Sequence, residues 1–245
     1  MRVCFGIISI GKKYLEEFER LFKPSVLAYC NKYRYDLKIF TDYLDPIRTH
    51  PDTISFQKCL VPSFLMDYDI VVILDADIYI NMFVEPIDTL ELYGKIGIVN
   101  EVEQSTPEAY SLMVDHGFAD IPTHYYKKAD FDIETDKILN TGLMICRPDI
   151  HADYLKSIYE KYVNKSIGHP RGFHYEQSCI GYELQKDDMF TLISNSWNFI
   201  YIHAEMTRAP VYSNFVHYAG LRGEAKQNAL TRQTGKSSIR WGIKK

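Results

Sequence analysis

The sequence predicts an α/β protein built on a parallel sheet with helices on both faces. Two observations carry the prediction. Strand-length apolar runs alternate with helix-spaced stretches through the first hundred residues, a β-α-β-α-β rhythm. The runs are continuously apolar, not alternating, as strands buried on both faces are. A chain of 245 residues is long enough for one large domain or two small ones. It has no internal repeat and no low-complexity linker, which favours one.

Each element has its own signal. VCFGIISI (3–10) is a buried first strand. KYLEEFERLFKPSVLAYCNKY (13–33) carries apolar residues at helical spacing, with Pro24 as a kink or break. DLKIFTD (36–42) is the second strand. TISFQKCLVPSFL (53–65) reads as a helix with Thr53 as its N-cap. DIVVILD (69–75) and KIGIVN (95–100) are the third and fourth strands. Residues 101–136 are rich in Tyr, His, Asp and Pro, with one helix near 107–114. A connection of that length is usually functional or mobile. TGLMICR (141–147) is another buried strand. IHADYLKSIYEKYV (150–163) is an amphipathic helix, and HYEQSCIGYELQ (174–185) reads as a second. TLIS (191–194) and NFVHYAG (214–220) are strands with polar ends.

Composition narrows the function classes. The net charge is −4, so the chain as a whole does not match nucleic acid electrostatically. The chain has 19 Tyr and 13 Phe, which serve the core and also suit stacking on bases and sugar rings. The five cysteines form no C-x-x-C pair and four lie in apolar runs. Reduced, buried thiols of a cytoplasmic protein are expected. The opening MRVCFGIISIGKKY has no small-residue cleavage site, and no apolar run is long enough to span a bilayer. From Arg222 to Lys245 there are seven Lys or Arg and one Glu. This stretch is either a solvated extension or a basic edge for phosphate or for peripheral contact with an anionic membrane.

VVILDADIYIN (71–81) poses the chemical question, because a buried strand ends in two carboxylates one residue apart. Strand periodicity points Asp75 and Asp77 to the same side if the extended backbone continues. Open α/β sheets bind ligands outside the carboxyl ends of their strands. Two like charges in such a crevice repel, and a divalent cation removes the cost. Carboxylate oxygens suit Mg²⁺ or Mn²⁺, ions that bridge to substrate phosphates. The bland alternative is that the acids cap a turn. Glycosyl transfer, nucleotidyl transfer and phosphoryl transfer through an aspartyl nucleophile all use a strand-terminal D-x-D. Tyr79 stands where the aspartyl phosphatases carry Thr or Val, which argues against the last.

Four islands in order resemble a GT-A fold glycosyltransferase, most of all family 8, the glycogenin and galactosyltransferase group. LDADIYI resembles its D-x-D signature and LNTGLMI (139–145) its F-N-[SA]-G-V-[ML] segment. YEQSCI (175–180) resembles its D-Q-D segment, and HYAG (217–220) its H-[FY]-x-G segment. The chain is also similar, in size and style, to compact glycosyltransferases that large algal viruses encode. The resemblance implies a GT-A (Rossmann-like) single domain, with a mixed, mainly parallel sheet, over residues 1–220. Residues 1–100 would be the nucleotide-sugar half, 101–220 the acceptor half, and 221–245 a basic extension.

The same resemblance assigns roles. Asp75, Asp77 and His217 would ligate Mn²⁺ or Mg²⁺, nitrogen favouring Mn²⁺. Ala76, Lys58 and Gly220 would contact the donor. Ser9 and Tyr14 would hold base and ribose, although Tyr14 also fits as a helix-start aromatic packed on the core. Asn140 would lie near the donor sugar or acceptor, or serve as a turn residue before Gly142. Glu176 and Gln177 would face the reacting sugar, with Glu176 stabilising the oxocarbenium-like state. The expected activity is metal-dependent sugar transfer, with retention, from a UDP-sugar or a GDP-sugar to a glycan or glycoprotein acceptor. A sugar-phosphate nucleotidyltransferase and a non-catalytic carbohydrate-binding domain are the alternatives. The chain departs from the family pattern in two places. E-Q-S replaces D-Q-D, and Arg222 and Lys226 follow HYAG at shifted offsets with no Pro-Trp.

Overall fold

The computed structural model describes residues 1–169, 174–207 and 213–235. Its main sheet contains β1 (Val3–Ile8), β2 (Asp36–Phe40), β3 (Ile70–Leu74), β5 (Ile96–Asn100), β6 (Leu139–Cys146) and β7 (Phe190–Leu192). The order is β2-β1-β3-β6-β5-β7. Only β6 runs against its neighbours β3 and β5, so the sheet is mixed and mainly parallel. A small second sheet, β4-β9-β8, is made of β4 (Ile78–Ile80), β8 (Phe199–Ile200) and β9 (Phe215–His217).

Both faces of the main sheet are covered. Along β1 and β3 the side chains alternate between two cores. Phe5, Ile7, Val72 and Leu74 face α1 (Lys12–Leu21), α2 (Lys23–Tyr33) and α8 (Gly223–Thr234), through Phe18, Leu21, Val26, Tyr29 and Leu230. Cys4, Val71 and Ile73 face α5 (Pro148–Tyr162) and α6 (Tyr175–Lys186), through Leu155, Ile158, Tyr159, Ile180 and Leu184. Burial on both sides explains why these strands are apolar throughout.

Local structure departs from expectation in places, each with a cause. The 13–33 stretch is two helices, broken at Phe22, with Pro24 in the first turn of α2 where its missing N–H costs nothing. Residues 51–53 and 55–64 are 3₁₀, not α. Thr53 is not an N-cap, because its hydroxyl donates to the carbonyls of Arg48 and His50. His50 Nδ1 accepts from Asp52 N instead, at 3.2 Å. The long connection holds α3 (Pro107–Asp115) and also α4 (Pro122–Lys127). Helix α7 (Tyr201–Thr207) follows β8 directly. The basic stretch after Arg222 is not simply solvated, since α8 buries Lys226, Ala229 and Leu230. The rest of that stretch, residues 236–245, lies outside the described residues.

All five cysteines are free and buried. Burial raises the thiols, Cys59 to about 12 and Cys4 to about 11, so they are packing groups and not nucleophiles. No helix among the described residues is long and apolar enough to cross a membrane.

One ion-pair knot ties α5 to α6. Glu183 accepts from Lys161 at 2.6 Å, from Lys186 at 3.3 Å and from the Tyr162 hydroxyl. Burial would raise its carboxyl, but these partners hold it below the usual range. A depressed folded pKa stabilises above the unfolded value, near 4.3, and that stabilisation is lost as pH falls through the folded value. Glu183→Gln is expected to cost about 1 kcal/mol at pH 7. Denaturant melts should show the difference from wild type shrinking between about pH 5 and pH 3. A pH-independent difference would show that the charge contributes nothing.

Candidate functional site

The site assembles at one edge of the main sheet. Ser9, Asp75 and Glu101 directly follow β1, β3 and β5. Because β6 runs antiparallel, its first residues, Leu139 to Gly142, arrive at the same edge. Gly97 pairs with Ile145 but Val99 pairs with Asn140, so β6 bulges away from β5 over Thr141–Met144. Bulges of this kind re-aim side chains beside functional sites. On its other side β6 keeps register with β3, and the ladder runs one residue further, with Asp75 N donating to Gly142 O at 2.8 Å.

Asp75 and Asp77 do not converge by strand periodicity as expected. Strand β3 ends at Leu74, and a turn over Ala76 and Asp77 leads into β4. Ile78 N donates to Asp75 O at 3.3 Å and closes that turn. Antiparallel pairing then sets Ile78 opposite His217, and Tyr218 N donates to Asp77 O at 3.0 Å. The imidazole is thereby delivered to the two carboxylates. His217 Nε2 lies 3.2 Å from Asp77 Oδ1 and 3.8 Å from Asp75 Oδ2.

The ligating atoms of Asp75, Asp77 and His217 all lie within 4.8 Å of one another. Metal–oxygen bonds of about 2.1 Å put two ligands of one ion roughly 3 to 4 Å apart. The donor set therefore fits a divalent ion with small side-chain shifts. His217 presents Nε2 to the carboxylates while its buried Nδ1 has no hydrogen-bond partner. Gly142 is the residue that allows this. A Cβ there would lie 2.4 Å from His217 Cε1 and 2.5 Å from Nδ1.

Two lysines complete the electrostatics. Lys58, from the 55–64 segment, donates to Asp75 Oδ1 at 2.7 Å and to Thr141 O at 3.3 Å, with Glu176 Oε1 at 3.9 Å. Lys226, from α8, donates to Asp77 Oδ2 at 3.1 Å. Burial lowers the proton affinity of Lys58 and His217, but Asp75 beside the one and Asp77 beside the other outweigh it and raise both. Burial likewise opposes ionisation of Asp77, yet His217 and Lys226 hold its carboxyl far below the usual range.

Two clefts meet at Asp75, Asp77 and Glu176. The smaller, about 410 Å³, is lined by Ser9, Tyr14, Lys58, Ala76 and Lys226. The larger, about 780 Å³, is lined by Glu101, Asn140, Gln177, His217 and Gly220, with Gly117–Ile121 and α4 on its far wall. Every residue to which the family resemblance assigned a role lines one of them. Ser9 is buried with an unpartnered Oγ. Tyr14 is 66% exposed and does not pack on the core.

The polar groups of the larger cleft are tied together. Asn140 Oδ1 accepts from Gly142 N at 3.0 Å and from Asn198 Nδ2 at 2.7 Å, while its Nδ2 donates to Glu101 at 3.0 Å. Gln177 donates to Tyr125 OH at 3.0 Å and to Glu101 at 3.5 Å, and accepts from Thr141 N at 3.3 Å. Sequence reading missed Glu101, Asn198, Tyr125 and the contact of Lys226 with Asp77. Only Glu101 carried a signal, as an acid directly after a buried strand at the edge where ligands bind.

The fold is the GT-A type of glycosyltransferases. A glycosyltransferase involved in glycosylation of the major capsid of PBCV-1 superposes with a TM-score of 0.60 at 16% identity, over 95% of this chain and 100% of that one. The galactosyltransferase LgtC gives 0.58 at 11% identity, over 96% and 94%. The glycosyltransferase GlyE of Streptococcus pneumoniae TIGR4 gives 0.56 at 12% identity, over 95% of this chain but 60% of that one. No family model matches the sequence, and no curated protein does.

Gly142→Ala is expected to destabilise by about 1–3 kcal/mol, through overpacking against an imidazole that Asp77 holds in place. His217→Ala removes the obstacle. In the double mutant, the cost of the alanine at 142 should largely vanish, with coupling of about 1 kcal/mol or more in denaturant melts. Additive losses would show that the two side chains do not meet.

Proposed function

We propose that the protein is a metal-dependent glycosyltransferase that moves a sugar from a nucleotide-diphosphate sugar to a glycan or protein-linked acceptor. One observation carries the reading: the Asp75–Asp77–His217 triangle stands where two clefts meet. One cleft then takes the nucleotide and the other the acceptor, with the reacting sugar between them. The similar solved structures are glycosyltransferases by their own descriptions, which supports the reaction class.

The residues have distinct tasks in this reading. Asp75, Asp77 and His217 hold the ion, and their nitrogen donor favours Mn²⁺ over Mg²⁺. A divalent ion bound there supplies positive charge to the departing nucleoside diphosphate. Lys58 fixes Asp75 and offsets its charge. Ser9 and Tyr14 bound the nucleotide cleft, where the free Ser9 hydroxyl offers a hydrogen bond and the exposed Tyr14 ring a stacking face. The donor is a UDP-sugar, with a GDP-sugar as the alternative. Glu176 reaches both clefts and stabilises positive charge on the sugar ring. Asn140 and Gln177, held by Glu101, shape the acceptor side. Retention of configuration is the stereochemistry proposed.

A thermal-shift panel of UDP- and GDP-sugars, with and without Mn²⁺, tests the reading. The correct donor at about 100 times its Kd stabilises by about 2.7 kcal/mol through mass action. The shift should require Mn²⁺ and disappear in Asp77→Asn. Survival of the shift in that variant would overturn the metal assignment. Slow donor hydrolysis, cut at least about 100-fold in Asp75→Ala, separates an enzyme from a sugar-binding domain. NMR of the released sugar should show the donor's anomeric configuration.

A further inference from the structure

Lys226 has no role in the reading above, yet it is placed with care. Its ammonium lies between two carboxylates from different elements, 3.1 Å from Asp77 Oδ2 and 3.0 Å from Glu17 Oε1 on α1. It also lies 5.8 Å from the centre of the Phe22 ring. The helix carrying it is anchored by the buried Ala229 and Leu230. Any movement therefore falls to the lysine arm.

The two carboxylate oxygens of Asp77 are both engaged, Oδ1 by His217 and Oδ2 by Lys226. The other lysine is differently held. Lys58 donates to Asp75 and to a backbone carbonyl, and its next acid, Glu176, is 3.9 Å away. Of the two lysines at the site, Lys226 has its second carboxylate, Glu17, at hydrogen-bond distance, 3.0 Å. It can give up Asp77 and keep an ion pair.

We propose that Lys226 is a tethered counter-cation that competes with the divalent ion for Asp77, and that Glu17 holds its ammonium when the ion takes that carboxylate. The inference rests on the metal reading of Asp75, Asp77 and His217. Its physical basis is charge. Two acids at the end of a buried strand repel in a crevice without cations, and Lys226 relieves that repulsion when no metal is bound. A metal ion entering the same site meets the ammonium as a like charge. Lys226 thus keeps the empty site foldable and weakens metal binding, while Glu17 sets how readily it yields.

The test is Mn²⁺ binding by the whole protein without nucleotide, read from the electron paramagnetic resonance of free Mn²⁺ at fixed pH. Lys226→Met should tighten Mn²⁺ binding about tenfold or more, the scale on which one neighbouring charge moves a carboxylate's proton affinity. Glu17→Gln should weaken it, because the ammonium then has only Asp77 as a carboxylate partner. Lys226→Arg should bind Mn²⁺ close to wild type. Structural damage would weaken binding in both of the first two variants, so their opposite signs are diagnostic. The inference is overturned if Lys226→Met leaves the affinity unchanged or weaker, or if Glu17→Gln tightens it. Failure of the metal reading looks different, because Asp77→Asn would then bind Mn²⁺ as tightly as wild type.

Discussion

The mutual repulsion of Asp75 and Asp77 is the constraint around which the site is organised. A central strand buried on both faces delivers two carboxylates into a crevice, where their charges are poorly screened. Three cationic or protonatable groups answer them, and each comes from a different part of the chain. Lys58 comes from the 3₁₀ segment before β3, His217 from the end of β9, and Lys226 from α8. The C-terminal third of the chain is thereby tied to the first half by charge as well as by apolar packing. A missing partner would leave a half-buried carboxylate short of compensating charge in a poorly screened crevice.

The backbone meets this electrostatic demand by two departures from regularity. One is the turn between β3 and β4, which brings the carboxylates together and redirects the chain into the small sheet where His217 waits. The other is the bulge opposite β5 in β6, the antiparallel strand that sets Gly142 beside Asp75 by its pairing with β3. A regular, wholly parallel sheet would offer neither. Gly142 then makes sense as a steric requirement, since the imidazole occupies the space a Cβ would take.

These departures also mark the limit of what the sequence reveals. The buried strands were legible because burial on both faces leaves continuous apolar runs, and helix α5 because its apolar residues recur at helical spacing. The Asp75–Asp77 pair was legible as chemistry, but its geometry was not. A turn and a continuing strand both put the two acids close, and D-A-D does not distinguish them. The reversal of β6 left no mark, because a strand buried on both faces reads the same in either direction. The 55–64 segment misled for a related reason, as apolar spacing does not separate 3₁₀ from α over ten residues. Tyr14 could be read two ways because an aromatic at a helix start packs on the core or borders a cleft, and here it is exposed and lines the smaller cleft. Glu101 and Lys226 were hidden because their meaning lies in partners distant in sequence, Asn140 and Gln177 for one and Asp77 and Glu17 for the other.

The same physics accounts for a fold shared at 11–16% identity. Buried strands specify only that residues be apolar and of suitable volume, so their identities drift freely. A strand-end acid pair specifies only that cations stand near it, and it does not say which helix supplies them. Glu176, Gln177 and Ser178 stand where the resemblance led one to expect D-Q-D, yet the backbone still sets Glu176 between the two clefts. Likewise Lys226 lies six residues after Gly220, and one turn of α8 suffices to return it to Asp77. In this chain the placement of charge is set by where the backbone brings each residue, not by its spacing from the motif.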